Sequence, residues 1–124
     1  GISSSVYIES GMSFEELAEL FRNADLTVYP SYYEGQGLIP LESMSSGTPV
    51  VTVNHGPLPE MVDSEVGELF VMGDIQSISS TIIKEISDKE SLRRKGLNGR
   101  KRVLQNFTYD IDADRFIEIY NRIQ

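Results

Sequence analysis

The 124-residue chain contains no cysteine, which excludes disulfides and thiolate metal sites. His55 is its only histidine, so a His-based metal cluster and a His/Cys catalytic pair are excluded as well. Basic residues are scarce: 11 Lys and Arg stand against 19 Asp and Glu, for a net charge of −8. This argues against a nucleic-acid partner, because such a surface needs a basic face to displace counterions from phosphates. No apolar run reaches the roughly 18 residues needed to span a bilayer, and the N-terminus lacks the basic start and apolar stretch of a secretion signal. A cytoplasmic location is expected. Whatever chemistry the chain performs draws on carboxylates and backbone.

What is present is ordinary in bulk and informative in pattern. With 40% hydrophobic and 24% charged residues, the chain reads as one domain with a real core. It opens on Gly1 rather than Met and reads as a piece of a longer protein, a single partial domain over residues 1–124. Short β-rich runs alternate with helical stretches, the pattern of an α/β fold with a Rossmann-like parallel sheet. About four strands are expected, at Val6–Ile8, Leu26–Tyr29, Val50–Val53 and Glu68–Val71. The first helix carries a capping box, Ser13 with Glu16, and an apolar stripe of Phe14, Leu17, Ala18 and Phe21 that should pack on the sheet. Further helices are expected over Leu38–Ser46, around Leu58–Val62, over Ile75–Ile86, from an Asp88 cap to about Gln105, and after a Thr108 cap, the last with Ile111, Phe116, Ile119 and Ile123 as its apolar residues. In the Asp88-capped helix the inward stripe is Leu92, Gly96, Gly99 and Val103. Two glycines there cost roughly 1 kcal/mol each relative to alanine, so they imply a close approach of helix to sheet.

The segment Tyr33-Glu34-Gly35-Gln36-Gly37-Leu38-Ile39-Pro40-Leu41-Glu42 says most about function. In an open parallel sheet, ligands bind beyond the carboxyl ends of the strands, and Leu26–Tyr29 delivers the chain to that edge. Gly35 and Gly37 can take positive φ at little steric cost, and the N–H groups of Gly37, Leu38 and Ile39 start a helix whose end carries roughly half a positive charge. That is a site for a diphosphate even in an acidic chain. Glu42, about one turn further in, offers a carboxylate to vicinal hydroxyls such as those of a ribose. Singly these features are weak: Gly-x-Gly is often a plain tight turn, and a carboxylate in the first turn of a helix is often only a dipole partner worth about 0.3–1 kcal/mol. Their combination points to a nucleotide sugar.

Here the chain resembles the retaining glycosyltransferases of the GT-B fold, group 1 or family 4. The resemblance is carried by Ala24-Asp25-Leu26, Pro30-Ser31, Glu34-Gly35-Gln36-Gly37-Leu38 with Glu42, Met44, Gly47-Thr48-Pro49-Val50-Val51, Leu58-Pro59-Glu60 and Gly67, nearly the whole chain. It implies a nucleotide-sugar donor-binding domain, part of the C-terminal half of the fold, paired with an N-terminal domain that carries an acceptor glycan or glycolipid. By that resemblance Glu34 is the catalytic residue contacting the transferred sugar, Gly35, Gln36 and Ile39 belong to the binding loop, Gly37 and Leu38 give N–H groups to the diphosphate, and Glu42 holds the ribose. The donor is a nucleotide-diphosphate sugar, with no cofactor and no metal expected. The basic pair that neutralises the diphosphate in the family lies upstream of the matched region and is absent here. Gln36 stands where the family usually has an aromatic residue, and Asn54-His55-Gly56 replaces a more glycine-rich stretch, which raises His55 as a ligand contact or a plain surface turn.

Other readings fit less well. A glycosidase would use Glu34 and Glu42 as acid and base, but nothing in the sequence buries either carboxyl obviously. A nucleotide-sugar epimerase of the same architecture, or a non-catalytic α/β binding module, would share the sheet; the Glu-x7-Glu spacing fits transfer better. Arg93-Arg94-Lys95 and Arg100-Lys101-Arg102 invite peripheral membrane association of the full-length enzyme, since many such enzymes act on lipid-linked acceptors. Helical spacing and the neighbouring Asp88 and Glu90 favour a solvated helix face.

Overall fold

A computed structural model describes residues 1–123. The sheet has three parallel strands among them, β1 (Thr27–Tyr29), β2 (Val50–Val53) and β3 (Gly67–Phe70), in the order β1-β2-β3. Thr27 is in register with Val50, and Val50 with Gly67. Val-Val-Thr-Val makes the central strand because β-branched side chains suit a strand covered on both faces, and all four of its residues are buried. Val50 enters one core cluster with Met44, Met61, Val62, Val66 and Val103. Val51 and Val53 enter another with Leu58 and Phe70, packed against Ile78 and Ile82. β3 starts one residue earlier than expected, at Gly67, where an added Cβ would lie 1.9 Å from the Val50 carbonyl oxygen. Only glycine fits against β2 there.

The fourth expected strand does not form. Val6–Ile8 follows a 3-10 turn at Ser3–Ser5 and runs without regular structure, with Val6, Tyr7 and Ile8 exposed. Three apolar residues between Ser3-Ser4-Ser5 and Glu9-Ser10-Gly11 are too few to hold a place in the sheet by themselves, and β1 pairs only with β2.

The helices are α1 (Phe14–Asn23), α2 (Leu38–Ser45), α3 (Leu58–Met61), α4 (Ile75–Ile86), α5 (Lys89–Asn106) and α6 (Tyr109–Ile123). The expected capping box of α1 is in place: Glu16 N–H donates to Ser13 Oγ at 3.2 Å and Ser13 N–H to Glu16 Oε2 at 2.7 Å. Its stripe behaves differently from the expectation. Phe21 alone is buried, Phe14 is 84% exposed, and the neighbour of α1 is α2 rather than the sheet.

In α5 the four stripe residues Leu92, Gly96, Gly99 and Val103 are all buried. The close approach that the glycines permit is to α2 and the turn that follows it, not to the sheet: an added Cβ on Gly96 would lie 2.1 Å from the Gly47 carbonyl oxygen, and one on Gly99 3.1 Å from Met44 Cγ. The basic residues of α5 do not form one solvated face. Lys95 is buried, donating to Glu85 Oε1 and Oε2 at 2.8 and 2.7 Å and to the Gly67 carbonyl at 3.1 Å, which ties α4, α5 and β3 together. Arg102 bonds the Met61 carbonyl and pairs with Asp63 at 2.9 Å. Arg93, Arg94 and Lys101 are exposed. α6 buries no residue, and Phe116, Ile119 and Ile123 are exposed. No helix among the described residues is long and apolar enough to cross a membrane.

Candidate functional site

β1, β2 and β3 run parallel, so the loops that follow them collect at one edge of the sheet. The loop after β1 carries Glu34. Tyr29, the last residue of β1, donates its hydroxyl to Glu34 Oε1, and Ser31 Oγ donates to the same oxygen at 2.7 Å. The Tyr29 hydroxyl and then the Ser31 hydroxyl hold the Glu34 carboxyl below the usual glutamate range, against an opposing effect of burial and with the smallest contribution from the Gly37 N–H. The reciprocal effect is consistent in sign: the Glu34 carboxylate pushes the Tyr29 hydroxyl above its ordinary value, and burial adds to this. Glu34 is therefore an ionised, oriented acceptor at neutral pH.

Gly37 starts α2 from the left-handed region, at φ 81° and ψ 53°. It is buried, and an added Cβ would lie 2.9 Å from Leu58 Cδ2 and 3.3 Å from Met61 Cε. Conformation and space both require glycine. No side chain caps this helix. Pro40, buried in the first turn, has no N–H to satisfy. The amides of Leu38 and Ile39 remain without a protein partner among the described residues, on residues 57% and 40% exposed.

Glu34 and Glu42 do not share one cavity. Glu34 and Gly35 line a hollow of about 300 Å³ together with Tyr33, His55 and Leu58, on the α3 flank of α2. Glu42 is half-buried and lines a second hollow of about 180 Å³ with Phe14, Leu17, Phe21 and Ser45, on the α1 flank. Along the chain the start of α2, at Leu38, falls between Glu34 and Glu42. Gln36 is exposed and lines neither hollow. The sequence reading missed the role of α1: Phe14, assigned to a sheet-facing stripe, instead walls the groove beside Glu42. It also missed Tyr29 and Ser31 as the groups that hold Glu34. The spacing Tyr29-x-Ser31-x-x-Glu34 at a strand end was the available signal.

An apolar hollow of about 180 Å³ lies next to that of Glu34, lined by Val53, Phe70, Met72 and Ile78 with Ser31 and Tyr32 shared. Asp74 on its wall is committed to α4, accepting from the Gln76 and Ser77 N–H groups at 2.9 and 3.0 Å. It offers no reactive group.

Residues 1–102 match the family model described as "Glycosyl transferases group 1". The chain is 37% identical, over 98% of its length, to an MMP alpha-(1->4)-mannosyltransferase of Mycolicibacterium hassiacum, and it spans 30% of that protein. Among solved structures, a sucrose-phosphate synthase from Thermosynechococcus elongatus superposes on 98% of the chain with a TM-score of 0.89 and 30% identity; the chain covers 31% of it. The C-terminal domain of a glycosyl transferase group 1 family protein from Francisella tularensis superposes on 82% of the chain with a TM-score of 0.73 and 30% identity, 53% of that chain being covered.

Proposed function

Given that the chain belongs to the group 1 glycosyltransferases, with the α/β architecture of the C-terminal part of a GT-B fold, we propose that it is the donor-binding portion of a longer enzyme. That enzyme transfers a sugar from a nucleotide-diphosphate sugar to an acceptor with retention of anomeric configuration. The observation that carries the reading is the uncapped start of α2, a glycine-opened helix end with free amides, preceded in the chain by Glu34 in one hollow and followed by Glu42 in another.

In this reading the donor lies across the start of α2. The transferred sugar enters the hollow of Glu34 and Gly35, the diphosphate meets the amides of Gly37, Leu38 and Ile39, and the ribose reaches Glu42 in the groove against α1. Gln36 shapes the loop from outside. As the bond to the leaving diphosphate breaks, negative charge grows on it, and amides fixed in advance stabilise that charge without reorganising; each such donor is worth roughly 3–4 kcal/mol in a site closed to water. Glu34, held ionised by Tyr29 and Ser31, accepts hydrogen bonds from sugar hydroxyls and fixes the ring for attack from the face the diphosphate leaves. The helix end and basic groups upstream of this chain take the place of a metal. The acceptor, a glycan or glycolipid, is held by the remainder of the enzyme, which works in the cytoplasm and meets the membrane surface when its acceptor is lipid-linked. The 124 residues alone should bind donor weakly and fail to turn it over, because nothing closes the site.

Titration of the parent enzyme with UDP-, GDP- and ADP-linked sugars, with amide hydrogen exchange followed by mass spectrometry, tests the site. Slowed exchange over Gly35–Ile39 is expected with one of the donors. Binding that leaves those amides unprotected would remove the reading, as would multiple turnover by the isolated chain.

A further inference from the structure

The turn between β2 and α3 presents His55 on the wall of the Glu34 hollow. Its backbone is fixed and its side chain is not engaged. The His55 N–H donates to the Val53 carbonyl at 2.9 Å, its carbonyl accepts from Leu58 N–H at 3.4 Å, and the Asn54 N–H before it donates to the Phe70 carbonyl at 2.8 Å. Gly56 then turns the chain at φ 59°. β2, which anchors this turn, is buried throughout. Among the described residues no group hydrogen-bonds to the imidazole, which is therefore an uncommitted polar ring on a rigid base.

The hollow needs what this ring offers. Ionised Glu34 is an acceptor only, so it binds sugar hydroxyls through their protons and itself supplies no donor to their oxygens. Ser31 Oγ is already used on Glu34 and the Tyr33 carbonyl. Tyr32 and Tyr33 reach the wall from the same loop as Glu34, whereas His55 is the one polar side chain that reaches it from the β2–α3 turn. An imidazole carries a donor and an acceptor on one ring and can bond two neighbouring hydroxyls at once.

We infer that His55 is a donor-specificity residue, whose imidazole hydrogen-bonds hydroxyls of the transferred sugar that Glu34 holds from the other loop. The inference rests on the reading that this hollow receives the sugar of a nucleotide sugar. It assigns His55 to the sugar alone and not to the nucleotide.

The test compares sugar-bearing and bare nucleotides on the parent enzyme: UDP-glucose against UDP, and GDP-mannose against GDP, by isothermal titration. For the pair that binds, His55→Ala should weaken the nucleotide sugar about 3- to 10-fold, the range of one lost neutral hydrogen bond, and leave the bare nucleoside diphosphate within about twofold. His55→Gln, which keeps a donor and an acceptor, should recover part of the loss. Equal effects on both members of the pair, or none on either, would overturn the assignment. Glu34→Gln separates the two levels. If it weakens the nucleotide sugar selectively while His55→Ala does not, the hollow holds the sugar and only the role of His55 fails. If neither variant discriminates, the sugar does not lie in this hollow and both readings fall.

Discussion

Two helices begin at the same edge of the sheet, α2 after β1 and α4 after β3, and their first turns are finished in opposite ways. At α4 the chain closes its own helix end: Asp74 takes the N–H groups of Gln76 and Ser77, and Ser77 Oγ accepts from the Val71 N–H at 2.9 Å. At α2 there is no cap, only Gly37 in a left-handed conformation, then two free amides and a proline. Glycine at a helix start costs only a few tenths of a kcal/mol relative to a good cap. The same backbone dipole is spent internally at α4 and left available to a ligand at α2.

Substitutions can break or sharpen this contrast. The largest effect is expected from Gly37→Ala in the parent enzyme. The left-handed backbone alone costs about 1–2 kcal/mol with a Cβ present, and the methyl would press on Leu58 and Met61. Displaced amides should then lower nucleotide-sugar affinity on the order of 100-fold, each bond to a charged group being worth about 1.5–3 kcal/mol. Thermal denaturation and titration calorimetry read the two effects separately. Next comes Glu42→Ala, which should weaken nucleotide and nucleotide-sugar binding alike by roughly 10-fold or more through one charge-assisted bond, with the melting temperature little changed because Glu42 lines a groove rather than the core.

Asp74→Ala is the mirror experiment at α4. It should cost about 1 kcal/mol of stability, read from the denaturant midpoint, and leave donor affinity unaltered; a loss of affinity would show that the two helix starts do not divide their roles as described. The smallest effect belongs to Tyr29→Phe. Glu34 has a folded-state pKa below its unfolded value of about 4.3, so its stabilisation is present above that value and is lost as pH falls through the folded one. Removing the hydroxyl that contributes most should move the acid limb of activity to higher pH, toward the ordinary glutamate range. The Tyr29 hydroxyl works with the opposite sign: its raised pKa gives a contribution present below about 10 and lost as pH rises through the folded value. The stabilisation that Tyr29 loses at high pH should therefore be absent from the variant, read as a flatter pH dependence of the melting temperature on the alkaline side.

The elements with strong local signals were legible without coordinates. Ser13 with Glu16, Asp88, Gly37 before Pro40, and Val50–Val53 each announce a cap, a helix start or a buried strand through residue chemistry alone, and each stands where expected. What escaped depends on partners distant in sequence. Val6–Ile8 has strand composition, but composition does not supply a neighbouring strand. The glycines at 96 and 99 showed that something comes close, and only the fold shows that it is α2 and the turn that follows it rather than the sheet. Lys95 sits within a basic run, yet it is drawn inside by Glu85 and the Gly67 carbonyl, partners that helical spacing could not reveal. For the candidate site, the motif singled out Glu34, Gly37 and Glu42. It did not show that the two carboxylates line separate hollows, one against α1 and one against α3, because that follows from where those helices dock.

The contact at Gly96 reaches beyond packing to how freely this chain can drift. A backbone carbonyl, unlike a side chain, has no rotamer into which it can retreat, so no replacement at position 96 can be absorbed by repacking. In a library of all single substitutions, this position should tolerate no other amino acid while its exposed neighbours Arg94 and Leu97 accept many.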